Sequence, residues 1–391
     1  MRPTGALHLG HYHGVLKNWL EMQHGYECFF FVADWHALTT DYEDTKGIAE
    51  NTLEMVIDWL SVGILPGTAH LFVQSRVPEH AELHLLLSMI TPIGWLERVP
   101  TYKDQQEKLK EKDLATYGFL GYPLLQSADI LIYKASRVPV GEDQVAHVEL
   151  TREVARRFNH LYGKEPDFEA KAEKAIVKMG GKSGKLYREL RKKYTEQGDA
   201  EALDVARALL DEQQNISLGD KERLFGYLEG AGRIILPEPQ AMLTPQSKMV
   251  GLDGQKMSKS YDNTISLRES PEDVEKKIRT MPTDPARVRR NDPGNPEKCP
   301  VWSLHQVYST SEVKAWVVEG CTTAEIGCLD CKRHIIDSIQ AEIMPFRENA
   351  LEYHKDIRAV ETIINQGCEA AREVARDTLD EVRKAMGLNG K

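Results

Sequence analysis

Along the chain, short continuous apolar runs alternate with stretches whose apolar residues recur every three or four positions. Leu16, Trp19 and Leu20 set an amphipathic helix over Tyr12 to Gly25. Glu27 to Ala33 is continuous and aromatic, as a buried strand is, and His70 to Gln74 is a second such run. Between them Thr45 to Val62 has helical spacing, and His80 to Ile90 follows with the same period. Gly94 to Lys112 is polar and predicts a helix in its later half. In Tyr122 to Tyr133, Leu124, Leu125, Ala128, Leu131 and Ile132 take one helical face. Tyr122, Gln126 and Asp129 share another. Arg137 to Val140 is a short strand, which Gly141 to Gln144 turns into a helix running to about His160.

From Gly163 to Arg233 the chain is rich in Ala, Lys, Glu and Arg, with apolar stripes at Leu203, Ala206, Leu209 and Leu210 and at Leu186, Leu190 and Tyr194. This predicts an inserted helical domain. Ser270-Pro271-Glu272-Asp273 opens a helix with a capping serine, a proline in the first turn and acids after it. Pro282 to Pro300 is loop-like, Pro345 predicts a helix break, and Val360 to Met386 is helical, so the C-terminal third is all-helical.

At 391 residues the chain has room for two to three domains. The longest apolar run, Cys28 to Ala33, is too short to span a bilayer. The N-terminus lacks the charged-then-apolar pattern of a leader, and a cytoplasmic protein is expected. A net charge of −10 argues against a general nucleic-acid coat, although two local basic strips stand out. They are Lys182, Lys185, Arg188, Arg191, Lys192 and Lys193, and Arg287, Arg289 and Arg290, each read first as a solvated face.

The chemistry concentrates in two loops. Lys256-Met257-Ser258-Lys259-Ser260 sets two lysines three apart beside Gly251 and Gly254, an arrangement suited to phosphate. Pro3-Thr4-Gly5-Ala6-Leu7-His8-Leu9-Gly10-His11 places two histidines and a glycine at the mouth of a helix, where phosphate is attracted. Such a loop ordinarily follows a strand, and only Met1 and Arg2 precede it here. A parallel sheet with a gap beside the strand 27–33 is therefore expected. Asp34-Trp35-His36 lies at the C-terminal end of that strand, where α/β sheets bind ligands. Asp129, in so apolar a helix, needs a partner if buried; the readings are a surface carboxylate or an acceptor for a ligand N–H or O–H. Four of the six cysteines, Cys299, Cys321, Cys328 and Cys331, are spaced C-x(21)-C-x(6)-C-x(2)-C. That spacing suggests a four-thiolate metal site, zinc slightly ahead of an iron–sulfur cluster, with four free thiols as the alternative.

The two end motifs together resemble the signatures of class I aminoacyl-tRNA synthetases. Leu7 to Tyr12, Asp34 to Ala37, Val138 to Gln144 with His147, and Asn291 to Val301 are similar to the tryptophanyl family. The tyrosyl family, which shares the Tyr-x-x-x-Gln-x-x-Asp helix, is the nearest rival, and a non-catalytic tRNA-binding relative is a third reading. The resemblance implies activation of tryptophan with ATP and Mg²⁺, transfer to tRNA, and a homodimer. It also implies a [4Fe–4S] cluster on the four cysteines, with zinc as the alternative. The implied fold is α/β, a Rossmann-like parallel sheet with helices on both faces, a helical insertion and an all-helical C-terminal domain. Its expected parts are 1–162 with 234–270, 163–233, and an anticodon-binding 271–391. Implied catalytic residues are Lys256, Lys259, His8, His11 and Thr4. Implied ATP contacts are Pro3, Thr4, Gly10, His11, Gly141, Glu142, Asp143, Met249, Lys256, Met257, Ser258, Lys259 and Ser260. Asp129 is implied to accept the indole N–H, with Tyr122, Gln126, His36, Val138, Val140 and Gln144 around the amino acid.

Overall fold

A computed structural model describes residues 1–99, 116–164, 166–230, 232–243 and 249–388. The helix expected in the later half of Gly94 to Lys112 lies outside these from residue 100 on; Ile93–Glu97 is helical. The fold is α/β: a small Rossmann-like parallel sheet flanked by helices, a helical insertion, and an all-helical C-terminal region. The chain divides into two compact units, Met1–Arg76 with Leu243–Ala371, and Val77–Met242 with Arg372–Lys391.

In the first unit β1 (Cys28–Val32) and β2 (Ala69–Val73) pair in parallel, from Cys28 opposite Ala69 to Val32 opposite Val73. The helix Ile48–Ser61 crosses between them, buried from Met55 to Ser61. A helical stretch runs from Leu9 to Met22, its middle turn, Tyr12–Leu16, wound as a π-helix. It packs through Trp19, which stacks on Phe30 at 4.1 Å between ring centres. Asp34 joins the C-terminal ends of the two strands, since its Oδ1 accepts from the N–H of Ser75 at 3.0 Å. The edge of β1 expected to be a gap is met by Met1. Its amino group donates to Phe31 O at 2.7 Å, and the Ala33 N–H donates to Met1 O at 2.7 Å, the alternation of a parallel pair.

Pro271–Thr280 begins as its sequence predicts, with Ser270 Oγ accepting from the Asp273 N–H at 3.1 Å. Pro345 does not break its helix. Cys328–Lys355 runs through it, losing one N–H while Ile335, Ile336, Ile339 and Ile343 before it and Phe346 and Ala350 after it remain buried. Apolar burial on both sides outweighs one missing hydrogen bond.

In the second unit Tyr117–Leu131 starts a turn earlier than the sequence predicts. Thr116 caps it, accepting from the Phe119 N–H, and Pro123 lies inside it. It packs on Glu79–Ser88 and on Val145–Tyr162. β3 (Arg137–Val140) and β4 (Gln240–Leu243) form a second two-stranded sheet. Among its described residues the insertion holds four helices, Phe168–Lys178, Gly181–Gln197, Ala200–Asp211 and Leu218–Leu228, around Ile176, Tyr187, Leu210, Leu224 and Leu228. Its ends are pinned together where the Arg233 N–H donates to Gly163 O at 2.7 Å. Among the described residues no helix is long and apolar enough to cross a membrane.

Candidate active site

Within the first unit the two motif loops are hydrogen-bonded neighbours. The Leu9 N–H donates to Ile265 O at 3.0 Å and the Leu267 N–H to Leu7 O at 3.0 Å, so Leu7–Leu9 runs antiparallel to the chain leaving the lysine loop. The lysine loop is a hairpin: Val250 bridges Lys256, and the Met257 N–H donates to Met249 O at 3.0 Å. Gly254, at φ +85°, turns it. Lys256 is exposed, Met257 buried, and Lys259 half-buried.

The two histidines are held by backbone. The Gly10 N–H donates to His8 Nδ1 at 3.1 Å and the His8 N–H to His11 Nδ1 at 3.2 Å. A neutral ring that accepts at Nδ1 carries its proton on Nε2. Burial, then the Lys259 charge, pushes the His8 pKa down to about 4. Burial, His8, Lys259 and the N-terminal amine push His11 down to about 3. Both rings are therefore neutral Nε2–H donors at physiological pH. The Lys259 ammonium lies beside Gly5, at φ +108°, where an added Cβ would sit 3.5 Å from Nζ. Burial lowers the Lys259 pKa, and Asp58 works against that.

Two residues that support these loops escaped the sequence reading. Asp58, buried in the helix Ile48–Ser61, accepts from the Leu7 N–H at 3.2 Å and pairs with Arg268 Nε at 2.7 Å. Burial raises its pKa to about 6 against the pull of Arg268. Asn263, 2% exposed, accepts from the Ser258 N–H at 2.7 Å and donates to Asp253 Oδ1 at 2.7 Å and Lys256 O at 3.2 Å. The test applied to Asp129, a polar residue in an apolar helix, would have found Asp58. Asn263 gave no signal beyond standing three residues past the motif.

Elsewhere in this unit Pro3 is buried, Thr4 is exposed, and His36 is buried in the helix Asp34–Asp41. In the second unit Asp129 is 4% exposed, and its Oδ1 lies 2.6 Å from His80 Nδ1. Tyr122 Oη and Gln126 Oε1 both meet His147, at 3.2 and 2.7 Å. Val140 is buried and Val138 half-buried on β3. Gly141 then opens the short 3₁₀ turn Glu142–Gln144, on which Glu142 and Asp143 are exposed.

The metal expectation is overturned. Among the described residues no group of three or more His, Cys, Asp or Glu side chains is arranged to hold a metal ion, so neither the iron–sulfur cluster nor zinc stands. The four cysteines Cys299, Cys321, Cys328 and Cys331 are half-buried free thiols that lie near enough to influence one another. Burial, then the other three cysteines, pushes Cys331 up to about 12, and burial raises Cys321 despite Arg287. Cys331 Sγ lies 3.1 Å from His305 Nε2, and Arg287 Nη1 donates to Cys321 Sγ at 3.8 Å. Metal binding needs thiolates, and at Cys321 and Cys331 burial favours the protonated thiol instead. Arg287 is no solvated strip residue either: it is buried and donates to Arg290 O and Ile326 O.

A family profile described as tRNA synthetases class I (W and Y) matches residues 1–183 and 210–342. The tryptophan–tRNA ligase of Ralstonia nicotianae is 67% identical over 388 residues, covering 99% of this chain and 97% of the relative. That of Thermotoga maritima is 46% identical over 390 residues, covering 99% and 98%. The crystal structure of tryptophanyl-tRNA synthetase from Campylobacter jejuni complexed with ADP and tryptophan superposes with a TM-score of 0.74 at 26% identity, covering 99% of this chain and 98% of that one.

Proposed function

This chain belongs to the class I tRNA synthetases of the W and Y type, and on that premise we infer how its residues perform the reaction. The protein activates L-tryptophan with ATP and transfers it to tRNA. The tryptophan carboxylate attacks the α-phosphorus of ATP, the bond to the β-phosphate oxygen breaks, and pyrophosphate leaves with the electron pair. The nucleophile is already ionised, so the protein positions and neutralises charge and needs no general base. The magnesium of the reaction arrives as part of MgATP.

The observation that carries this reading is the hydrogen-bonded pairing of Leu7–Leu9 with Ile265–Leu267. It sets two neutral imidazole donors beside the Lys259 ammonium. In our reading His8 and His11 donate from Nε2 to phosphate oxygens, and Lys259 and the exposed Lys256 neutralise the leaving pyrophosphate. Asp129 accepts the indole N–H, with Tyr122, Gln126, Val138 and Val140 about the ring. Residues 271–391 serve as the anticodon-binding part, and the working form is a cytoplasmic homodimer.

ATP–pyrophosphate exchange with each amino acid in turn tests this. Exchange with tryptophan alone is expected. Equal exchange with tyrosine, or none with any amino acid, would overturn it.

A further inference from the structure

His80 stands out in the sequence only as the start of a helix, yet it is wholly buried and touches Asp129, the carboxylate assigned above to the indole N–H. Its two ring nitrogens have different partners. Nδ1 lies 2.6 Å from Asp129 Oδ1 and Nε2 lies 2.7 Å from Tyr133 Oη. A carboxylate only accepts, so the Nδ1 proton goes to Asp129. In the neutral ring Nε2 then accepts from the tyrosine hydroxyl. The bonds run in one direction, from Tyr133 O–H through His80 to Asp129. Asp129 and Tyr133 are four residues apart on the helix Tyr117–Leu131 and the turn that ends it, so they share a face that one imidazole spans. The helix that carries His80 is anchored as well. Glu79, the neighbour of His80, is clamped by Arg372 Nη2 at 3.0 Å and Arg376 Nε at 3.2 Å.

We propose that His80 is a positioning residue for tryptophan: it holds Asp129 by one oxygen and so sets the direction in which the carboxylate accepts the indole N–H. The proposal rests on the reading of Asp129 as the indole acceptor. A buried carboxylate needs a permanent donor, or it costs free energy whenever substrate is absent. That donor must also leave capacity for another bond, and an ionised carboxylate offers about four acceptor positions. An imidazole N–H supplies such a donor and fills one of those positions. A lysine or arginine at that place would crowd the carboxylate with further donors.

The test compares kcat/KM in pyrophosphate exchange for tryptophan and for β-(3-benzothienyl)alanine, in which sulfur replaces the indole N–H. The ratio reports the Asp129 bond and not general folding or ATP binding. His80→Leu should lower the ratio by about tenfold or more, the scale of one bond to a charged group, with little change in KM for ATP. His80→Asn and His80→Gln keep the test sharp should the leucine variant fold poorly. Asparagine places its amide nitrogen near the former Nδ1 and should retain the ratio. Glutamine reaches toward Tyr133 instead and should lose it. Equal ratios in the asparagine and glutamine variants, or a wild-type ratio in His80→Leu, overturn the positioning role. Asp129→Ala, which removes the acceptor outright, separates the two levels. If it loses the ratio while His80→Leu keeps it, His80 alone is misread. If it keeps the ratio, the reading of Asp129 falls, and the role of His80 with it.

Discussion

Gly10 faces Met257 so closely that a Cβ on Gly10 would stand 3.5 Å from the Met257 Cβ and 2.9 Å from the His8 ring. The first residue opens the N-terminal helix and the second sits inside the lysine loop, so the absence of a side chain lets the two motifs share a surface. Gly10→Ala improves helix propensity by about 1 kcal/mol, and its added methyl must displace the imidazole. Misplacing one catalytic group by about 1 Å costs roughly 10² in rate. Unfolding temperature should hold or rise while tryptophan-dependent pyrophosphate exchange falls by about that factor. A variant as active as the parent would show that the His8 ring has room to move.

Lys259→Ala removes a half-buried charge held beside Gly5. Adenylate formation should slow by on the order of 10²–10³, as on loss of other donors to developing charge. Single-turnover quench measurement would read it, and an unchanged rate would take the loop out of catalysis.

Asn263→Ala deletes the three bonds that shape the lysine loop and leaves the Ser258 N–H without its partner. A side chain that touches no reactant but holds one that does should raise KM for ATP more than it lowers overall stability. The expected loss is about 1–3 kcal/mol. Amide exchange of the loop should quicken in parallel; slow exchange with normal kinetics would make Asn263 incidental.

Asp129→Ala should impair tryptophan use far more than ATP use, because a charge-assisted hydrogen bond is worth roughly 1.5–3 kcal/mol. Separate KM values for the two substrates decide this, and equal effects on both would make Asp129 merely structural.

Acid should destabilise the protein through His8 and His11. Their pKa values fall from 6.5 in the unfolded chain to about 4 and about 3 in the fold. The unfolded state then binds more protons as pH drops below about 6.5, and each histidine costs up to roughly 1.4 kcal/mol per pH unit. Asp58 has the opposite slope. Its pKa rises from 3.8 to about 6, so its contribution is lost as pH climbs through that interval. Urea midpoints between pH 4 and 7 should fall toward acid, and His11→Gln should flatten the curve. A flat parent curve would mean that the rings are protonated in the fold.

Among the described residues three strands were legible from short apolar runs, since a run as short as Cys28–Val32 favours a strand over a helix, while Gln240–Leu243, with no such run, was not. The break expected at Pro345 from proline chemistry does not occur, because packing around Ile343 and Phe346 carries the helix onward. The two motif loops were legible as motifs; their mutual hydrogen bonding was not. It depends on Asp58 and Asn263, which lie fifty residues from one loop and just past the other. The cysteine spacing was plain in the sequence, but spacing does not fix how the side chains are arranged in space, and among the described residues they form no metal-holding group. His80 was invisible for a similar reason, since its meaning lies in a carboxylate 49 residues away.

The π-wound turn Tyr12–Leu16 has a consequence for how this region tolerates length changes. Such a turn takes up one residue more than an α-turn, so everything before it is rotated by about 100° relative to an unbroken α-helix. Removing Gly14, whose Cβ position is open, would let the segment rewind as a plain α-helix. Trp19 could keep its stack on Phe30 only if His8 and His11 swung by that angle away from Lys259. The extra residue acts as a phase marker between the core and the phosphate donors. A single-codon deletion there should uncouple a well-folded protein from its chemistry.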